Sequence, residues 1–463
     1  MSAVPKPKKT PQDPHLFDLF VILTKKLEQL LPGLPPFSPI GREWRHTRIE
    51  ESLEHKRFVE GLVSDRSFAA LRGKHVFSDS VFPMTMNENG LTGLLLDEYM
   101  TRRRRWTVYG DTLREDIYVQ WESLFTNAEL DCYAIGFLEN TGTDKVLTLD
   151  EETVIRILNM TERHEWQERL PVLGEWGLQE SRNLPWYVVE ANWRETKQVT
   201  SEVKDFSKWN NVPQNLKVLM HAIRLFGAPR AYLSLSCVST DLRTPRIVYG
   251  LPFLHEWQDP ASFFLFNKEL SDKFKQFWVS VRDRLRQRKE SWWTNAMRRY
   301  ERSMLDDYAE DRLVDLVIAL EGCLTVEHGE THLRRAFSQR IAVLNSITSS
   351  SGRNPDADIH DLAYKCYGLR NDVVHGNVAD EKKVDECLEP LREEARASFL
   401  RLLAMEVVNL SNKKREDFVL LLDKAVLRQK HRNELKRLLA KSSIANLDQM
   451  LEPKWWMRTD VQE

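Results

Sequence analysis

A short stretch near the C-terminal end of the chain combines side chains that can act on a phosphate group. It reads Tyr367-Gly-Leu-Arg370-Asn371-Asp-Val-Val-His375-Gly376. Arginine provides a permanent cation whose planar donors match a phosphate. Histidine accepts and donates protons near neutral pH. Together they supply what metal-free cleavage of RNA requires, and no other segment of the sequence carries a comparably specific chemical pattern.

The same two side chains also suit the end of a helix. Basic residues near a helix C-terminus interact favourably with the free carbonyl groups and with the helix dipole. The spacing therefore leaves two interpretations open for Arg370 and His375, a catalytic pair and a helix cap. Asn371 lies four residues before His375 on the same helical face, so it could orient the imidazole or bind a phosphate oxygen.

Three further residues are candidates for the neighbourhood of this motif. Tyr367 lies one turn before Arg370 and could either stack on a base or pack in the core. Glu321 and Arg340 fall on the apolar stripes of predicted helices, where an unpaired charge is costly. We therefore expect a buried ion pair between Glu321 and Arg340. The alternative is that Arg340 makes an additional contact with RNA.

Helices must position these residues. After about residue 305, apolar residues recur at helical spacing over 305–325, 331–347, 357–375 and 381–410. Gly376 is suited to end the third helix, and Pro390 marks a kink or a restart in the fourth. Four helices with short connections form a bundle, which we assign to residues 304–412. A further helix over 415–440 and a tail make up residues 413–463.

The N-terminal part of the chain has a mixed pattern. Residues 1–14 combine Pro and Lys without an apolar core, which predicts a disordered arm rather than a signal peptide. We interpret residues 15–265 as one α+β domain with a mainly antiparallel sheet. Its predicted helices cover 15–31, 151–165 and 213–226. Its strand-like runs are 75–82, 106–109, 117–125, 132–138, 186–193, 231–238 and 246–251.

A basic segment over residues 266–303 connects the two parts. Between Asp272 and Arg302 it has ten Lys or Arg residues against four Asp or Glu, with Trp278, Trp292 and Trp293 among them. This composition fits a solvated linker helix or helix pair. It also fits a path for an RNA backbone, with the tryptophans as stacking points.

Composition limits the other possibilities. The net charge of -2 gives no overall attraction to nucleic acid, so any such affinity must be local. Five scattered cysteines without a CxxC pair favour a reducing cytoplasm and argue against a disulfide framework or a zinc site. The apolar runs are too short to span a membrane. We predict no metal ion and no cofactor.

Two weaker motifs precede the basic segment. Glu195-Thr-Lys197 matches half of a metal-nuclease signature, but no convincing upstream acid accompanies it. The run Arg102–Arg105 precedes a strand-like segment. There it would be a solvated hairpin edge, since charge protects edges, or a contact for phosphate.

The stretch from about 305 to 410 resembles the HEPN superfamily, and within it the Apea-like branch. The segments that carry the resemblance are Leu313–Leu324, Leu333–Ala342 and Tyr367–Gly376. The last of these has the family's signature of an arginine, a polar residue and a histidine. The match covers less than a quarter of the chain, and nothing before about residue 260 resembles a family that we can name.

This resemblance implies an all-α bundle, two copies of which pair so that both Arg–His motifs face one cleft. Many active members are metal-independent endoribonucleases of bacterial toxin–antitoxin and anti-phage systems. Other members have lost the motif and serve in binding or dimerisation. Because Arg370, Asn371 and His375 are all present, the resemblance favours the active group.

On this basis we expect a homodimeric, cytoplasmic ribonuclease that acts on RNA, with tRNA as one candidate, and that has no membrane contact. Its N-terminal domain would be a sensor or regulatory module, which responds to a phage-derived trigger or to an antitoxin partner. The alternatives are a non-catalytic HEPN module that binds RNA or protein, and a metal-dependent nuclease in the N-terminal domain.

Overall fold

Helices and antiparallel sheets occupy the N-terminal half of the chain, and helices fill the C-terminal half, which confirms the mixed α+β class. The chain divides into two units, Met1–Leu216 with Leu233–Gln258, and Lys217–Tyr232 with Asp259–Glu463. The structure is a computed structural model. It describes residues 10–30, 48–77, 84–105, 111–160, 162–163, 186–202, 214–228, 230–240, 246–250, 263–286, 292–305, 308–325, 332–347, 355–377, 380–407 and 412–452.

The described part of the first unit begins with helices that pack around aromatic side chains. Phe20 contacts Phe58, with ring centroids 6.3 Å apart, and Trp121 contacts Phe125 at 5.0 Å. All four rings are buried, so they form the helical part of the core. The helices are α1 Pro14–Leu30, α2 Leu53–Ser64, α3 Arg66–Leu71, α4 Glu88–Arg105 and α5 Asp111–Thr126, with a 3₁₀ turn at Ile49–Glu51.

Residues 117–125, which we predicted as a strand, lie in helix α5. The stretch is rich in β-branched and aromatic residues, and these favour strands when they are considered alone. Packing decides otherwise, because the buried side chains recur at the spacing of a helix face. They are Ile117, Tyr118, Trp121, Leu124 and Phe125.

One other prediction for this unit is wrong: the arginines Arg102–Arg105 form the end of α4 and not the edge of a hairpin. Gln12 and Asp13, which their composition places in a disordered arm, donate backbone hydrogen bonds to the Glu122 carboxylate at 2.7 and 2.8 Å. Residues 1–9 of that arm lie outside the described residues.

Antiparallel pairing organises the strands of the first unit. The strands are β1 His75–Phe77, β2 Met84–Thr85, β3 Glu129–Glu139, β4 Thr141–Thr143, β5 Leu147–Thr148, β6 Thr153–Ile157, β7 Tyr187–Thr196, β8 Gln198–Thr200, β9 Tyr232–Thr240 and β10 Arg246–Gly250. One sheet has the order β10-β9-β3-β7-β6-β5, and a smaller one has the order β2-β1-β8. The long pair β3 and β7 is in register from Glu129 opposite Thr196 to Leu138 opposite Tyr187.

Strand β6 replaces the first part of the helix that we predicted near 151–165; residues 160, 162 and 163 are helical, and residues 161, 164 and 165 lie outside the described residues. It pairs with β7, and Arg156 donates hydrogen bonds to Glu190 of β7 at 2.9 and 3.1 Å. Thr153 and Ile155 are buried, as the alternation of a strand requires. The predicted strands over 132–138, 186–193, 231–238 and 246–251 match β3, β7, β9 and β10. Of the run 75–82, β1 covers the first three residues; residues 78–82 and 106–109 lie outside the described residues.

The second unit is mainly helical, and the predicted helix over 213–226 contributes to it from Lys217 onward. Besides strand β11 Phe264–Phe266, its described elements are helices α6 Gln214–Phe226, α7 Lys268–Arg286, α8 Trp292–Leu305, α9 Ala309–Leu324, α10 Leu333–Ser346, α11 Pro355–Val374, α12 Glu381–Ala404, α13 Asn412–Leu427, α14 Gln429–Ala440 and α15 Leu447–Met450.

The four helices predicted between residues 305 and 410 are present as α9 to α12. Each buries apolar residues at helical spacing, which provides the driving force for their packing. Leu316, Leu320, Ile341, Cys366 and Leu391 are examples of these fully buried side chains. Helix α12 continues through Pro390 as a single element, so of the two predicted alternatives, a kink or a restart, the restart is wrong.

The flanking segments differ from their predictions in two ways. The basic linker of residues 266–303 contains the two helices α7 and α8. Its Trp278 and Trp293 are buried, so these rings cannot stack on RNA. The helix predicted over 415–440 is divided into α13 and α14 at Arg428, whose backbone is extended. Within the described residues, no helix has both the length and the apolar character needed to cross a lipid bilayer.

Candidate active site

The motif lies at the C-terminal end of α11, where a glycine ends the helix. Gly376 has φ +77°, a left-handed conformation that glycine adopts without a steric penalty. Its N–H donates to Val373 O at 3.0 Å, and the Asn377 N–H donates to Asp372 O at 2.9 Å. This pair of bonds is a Schellman motif. It makes His375 the residue at the helix cap.

The guanidinium of Arg370 is held by two partners. Its Nη2 donates to Glu321 Oε2 of α9 at 3.2 Å, and its Nη1 donates to Asn371 Oδ1 at 2.9 Å. The Nε atom is buried and has no hydrogen-bond partner among the described residues. Both side chains of the ion pair are mostly buried. Arg370 is thus held by two hydrogen bonds, and its buried Nε donor is unused.

His375 is exposed at the helix end. Its backbone N–H donates to Asn371 O at 3.0 Å, which extends the helical hydrogen-bond pattern by one residue. Within the described part of the chain, no hydrogen bond involves its imidazole. The side-chain oxygen of Asn371 accepts a hydrogen bond from Arg370, so the two side chains are in contact. By helical spacing, Asn371 also lies on the same face of α11 as His375.

Tyr367 packs in the core and is not available as a base-stacking residue. Its side chain is only 4% exposed, and its ring centroid lies 5.2 Å from that of Phe337. Arg370 Cζ lies 5.5 Å from the Tyr367 ring centroid, within the range of a cation–π contact. Burial raises the pKa of the Tyr367 phenol to about 12, and the neighbouring Glu321 carboxylate adds to this effect.

The predicted ion pair between Glu321 and Arg340 is wrong. Arg340 donates instead to both carboxylate oxygens of Asp423 in α13, at 2.7 and 2.9 Å, and to Leu324 O at 2.9 Å. It is 5% exposed, which also excludes it as a surface contact for RNA. Both charges do have an ion-pair partner, as expected, but Glu321 pairs with Arg370 and Arg340 pairs with Asp423.

The sequence analysis did not identify Arg334 of α10, whose side chain lies against α11. Its Nε donates to Tyr364 O at 2.8 Å, and its Cζ lies 3.7 Å from the centroid of the exposed Tyr364 ring. A Cβ atom at Gly368 would meet the Arg334 guanidinium at 2.5 Å, so glycine lets the arginine lie this close to α11. That glycine inside a helix was the available clue.

Helical spacing places this contact on the same face as the motif. Tyr364, Gly368, Asn371 and His375 are separated by four, three and four residues, which aligns them along one side of α11. His360, one turn earlier, stacks on Tyr364 with ring centroids 5.8 Å apart. An aromatic and cationic surface therefore leads along the helix to His375.

The other candidate motif has structural partners. Glu195 accepts a hydrogen bond from Trp193 at 2.8 Å, and Lys197 reaches the carbonyl groups of Leu124 and Phe125 at 3.4 Å. Over the described ranges, no three His, Cys, Asp or Glu side chains form a group that could hold a metal ion.

Comparison with models of known protein families, with curated proteins and with solved structures finds no match for this chain.

Proposed function

We propose that the second unit is a metal-independent endoribonuclease whose reaction depends on Arg370 and His375. One observation carries this proposal: a partly buried arginine is fixed by Glu321 and Asn371 beside a helix end at which the His375 imidazole is exposed. A fixed cation and a free proton carrier are the two groups that cleavage of RNA without a metal needs.

In this reaction the RNA supplies its own nucleophile. The 2′-oxygen forms a bond to the adjacent phosphorus, while the bond from phosphorus to the 5′-oxygen breaks. One group takes the proton of the 2′-hydroxyl, and another gives a proton to the departing 5′-oxygen. The products are a 2′,3′-cyclic phosphate and a 5′-hydroxyl. DNA lacks the 2′-hydroxyl and is therefore not a substrate.

His375 would transfer one of these protons, a contribution of roughly 10²–10⁴ in rate. Arg370 would bind the non-bridging oxygens, on which negative charge grows in the transition state. Its buried and unpartnered Nε supports this role, because a buried donor without an acceptor is costly and a phosphate oxygen would satisfy it. Asn371 would keep the guanidinium oriented towards the helix end.

A homodimer would provide the second proton carrier. Val374, next to His375, is an exposed apolar residue at the same helix end, where a second copy could pack. Two copies paired in this way would bring two His375 residues to one RNA strand, one as the base and one as the acid.

The first unit would then be the sensor or regulatory part of a toxin-like bacterial anti-phage protein that cleaves tRNA or other RNA in the cytoplasm. A phage-derived trigger or an antitoxin partner would control it. This context is carried only by the HEPN resemblance, which is an analogy at the level of the family.

A binding-only module is the second candidate, and one observation favours it. Glu321 already compensates the charge of Arg370, as in an ion pair that serves structure. Such a HEPN module would hold RNA or protein without cleaving it.

The test compares wild type with His375→Ala and with the control His431→Ala, which changes a histidine on α14, outside the surface that leads to His375. Each protein is incubated with total tRNA in EDTA, and the product ends are mapped. We expect wild type and the control to leave cyclic phosphate ends, and His375→Ala to cleave at least 100-fold more slowly. Equal RNA binding without cleavage by all three would support the binding module, and unchanged cleavage by His375→Ala would refute the role of His375.

A further inference from the structure

Three arginines converge in the second unit away from the motif. They are Arg230, which precedes β9, Arg312 of α9 and Arg392 of α12. Glu389 joins two of them, because its Oε1 accepts from Arg392 Nη1 and lies 3.6 Å from Arg230 Nη2. Burial lowers the pKa of Arg312, and the positive charges of Arg392 and Arg230 lower it further. The positive charges of the other two arginines therefore disfavour the charged form of Arg312, while Glu389 joins Arg392 to Arg230.

Arg392 has unused donors within this arginine cluster. Glu389 and Asp385 are two carboxylates that act on Arg312, and Glu389 also contacts Arg392 and Arg230. Arg392 is the most deeply buried of the three, with a side chain that is 2% exposed. Its Nε and Nη2 atoms have no hydrogen-bond partner in the part of the chain that the structure describes. A buried guanidinium with unused donors favours a further anion.

Glu389 shows where such an anion would bind. Its side chain is 53% exposed, so it can leave the cluster by rotating into solvent. A phosphate group in its position would contact Arg392 Nη1 and Arg230 Nη2 and would add a second negative charge near Arg312. Arginine binds phosphate well because its planar donors match two oxygens at once.

We propose that Arg230, Arg312 and Arg392 form a binding site for a phosphate group, in which the Glu389 carboxylate occupies the position of the phosphate when no ligand is bound. The site is distinct from the reaction site, since Arg312 precedes Glu321 by nine residues, about 13 Å along α9. The ligand is either free phosphate or a nucleotide that carries phosphate. The proposal does not depend on ribonuclease activity.

The experiment is titration calorimetry of the full chain at low ionic strength with inorganic phosphate, pyrophosphate and ATP. We expect saturable binding at one site. Binding of all three would identify the phosphate group alone as the ligand, and binding of ATP alone would identify a nucleotide. The absence of saturable binding for every probe, in both wild type and Glu389→Gln, would overturn the proposal.

Three variants test the assignment of the residues. Glu389→Gln removes the competing carboxylate and should tighten binding about tenfold. Arg230→Gln should weaken binding by about tenfold or more, because it removes a charged donor at a partly exposed position. Lys430→Gln removes one exposed charge of α14 and should leave the affinity within about twofold of wild type. Equal losses for Arg230→Gln and Lys430→Gln would indicate non-specific attraction and refute the site.

Thermal unfolding provides a second readout. Glu389→Gln leaves Arg392 without its carboxylate partner, so this variant should unfold at a lower temperature than wild type. Pyrophosphate should restore more stability to Glu389→Gln than it adds to wild type, because a ligand stabilises the state that it binds. Equal stabilisation of both proteins would contradict the exchange of Glu389 for phosphate.

Discussion

Glu321 of α9 and Arg370 of α11 are 49 residues apart in the sequence, and their side chains form an ion pair with an Nη2 to Oε2 distance of 3.2 Å. Through this pair, one helix of the bundle fixes the arginine of the motif on another. The same carboxylate acts on Tyr367, whose ring lies beside Arg370.

This relationship predicts the effect of Glu321→Gln. Loss of the carboxylate frees Arg370, so RNA should bind more tightly at low salt because the site gains net positive charge. Cleavage should slow by about tenfold, because the guanidinium is no longer held in place. Binding by fluorescence anisotropy and single-turnover cleavage separate the two effects. Unchanged cleavage with tighter binding would show that Glu321 only competes with the substrate.

Arg334 should contribute to RNA binding and not to the reaction. It lies over Tyr364 on the helix face that leads to His375. We expect Arg334→Ala to weaken RNA binding by roughly fivefold, within the range for one cation–π or phosphate contact, with the cleavage rate at saturation unchanged. Arg335→Ala, at the next and exposed position, is the control and should have a smaller effect. Equal effects of the two variants would argue against a specific contact.

Arg340 should matter for stability. Arg340→Met removes the ion pair with Asp423 and the donor to Leu324 O. Because Asp423 is partly exposed and can be hydrated, we expect a loss of about 2–3 kcal/mol in the free energy of unfolding. Urea denaturation measures this loss, and Arg335→Met on the same helix should cost less than about 0.5 kcal/mol. A neutral Arg340→Met would mean that the pair contributes nothing.

Gly376→Ala should strain the helix end that presents His375. An alanine at φ +77° costs about 1 kcal/mol, and no atom within 4 Å would clash with its Cβ. Gly322→Ala is the control inside α9, where the new Cβ meets Ala296 at 3.7 Å. It should be neutral or slightly stabilising. Denaturant unfolding of both variants tests the difference, and equal stabilities would contradict the Schellman cap.

Acid should destabilise the second unit through His221 of α6. Burial lowers the pKa of this histidine from 6.5 to about 4. The positive charges of Arg224 and Lys217 also lower this pKa, whereas the negative charge of Glu301 raises it. The unfolded chain therefore binds a proton there at a higher pH than the folded chain does. Stability falls as the pH falls from about 6.5 to about 4, by about 1–3 kcal/mol.

Unfolding free energies measured across this pH range for wild type and His221→Gln provide the check. The variant cannot take up the proton, so its stability should depend less steeply on pH over the same interval. His360→Gln, a partly exposed histidine of α11, serves as the control and should retain the wild-type slope. A wild-type slope in His221→Gln would assign the acid sensitivity to other groups.

Elements whose side-chain pattern is local could be predicted from the amino-acid sequence. Helices α9 to α12 could be predicted because apolar residues recur at helical spacing, and Gly376 because a helix end needs a residue that tolerates positive φ. The common position of Arg370, Asn371 and His375 could be predicted for the same reason, since they lie within two turns of one helix.

The pairing of buried charges, in contrast, depends on how distant segments pack and could not be predicted from the sequence. Glu321 was expected to pair with Arg340, yet it pairs with Arg370, while Arg340 pairs with Asp423. Packing also decides that residues 117–125 form a helix and 153–157 a strand. The physical reason is that burial of a charge requires a partner but does not determine which residue it is. Likewise, the pattern of a short apolar run is compatible with both a helix and a strand. Packing between segments that are distant in the sequence makes both choices.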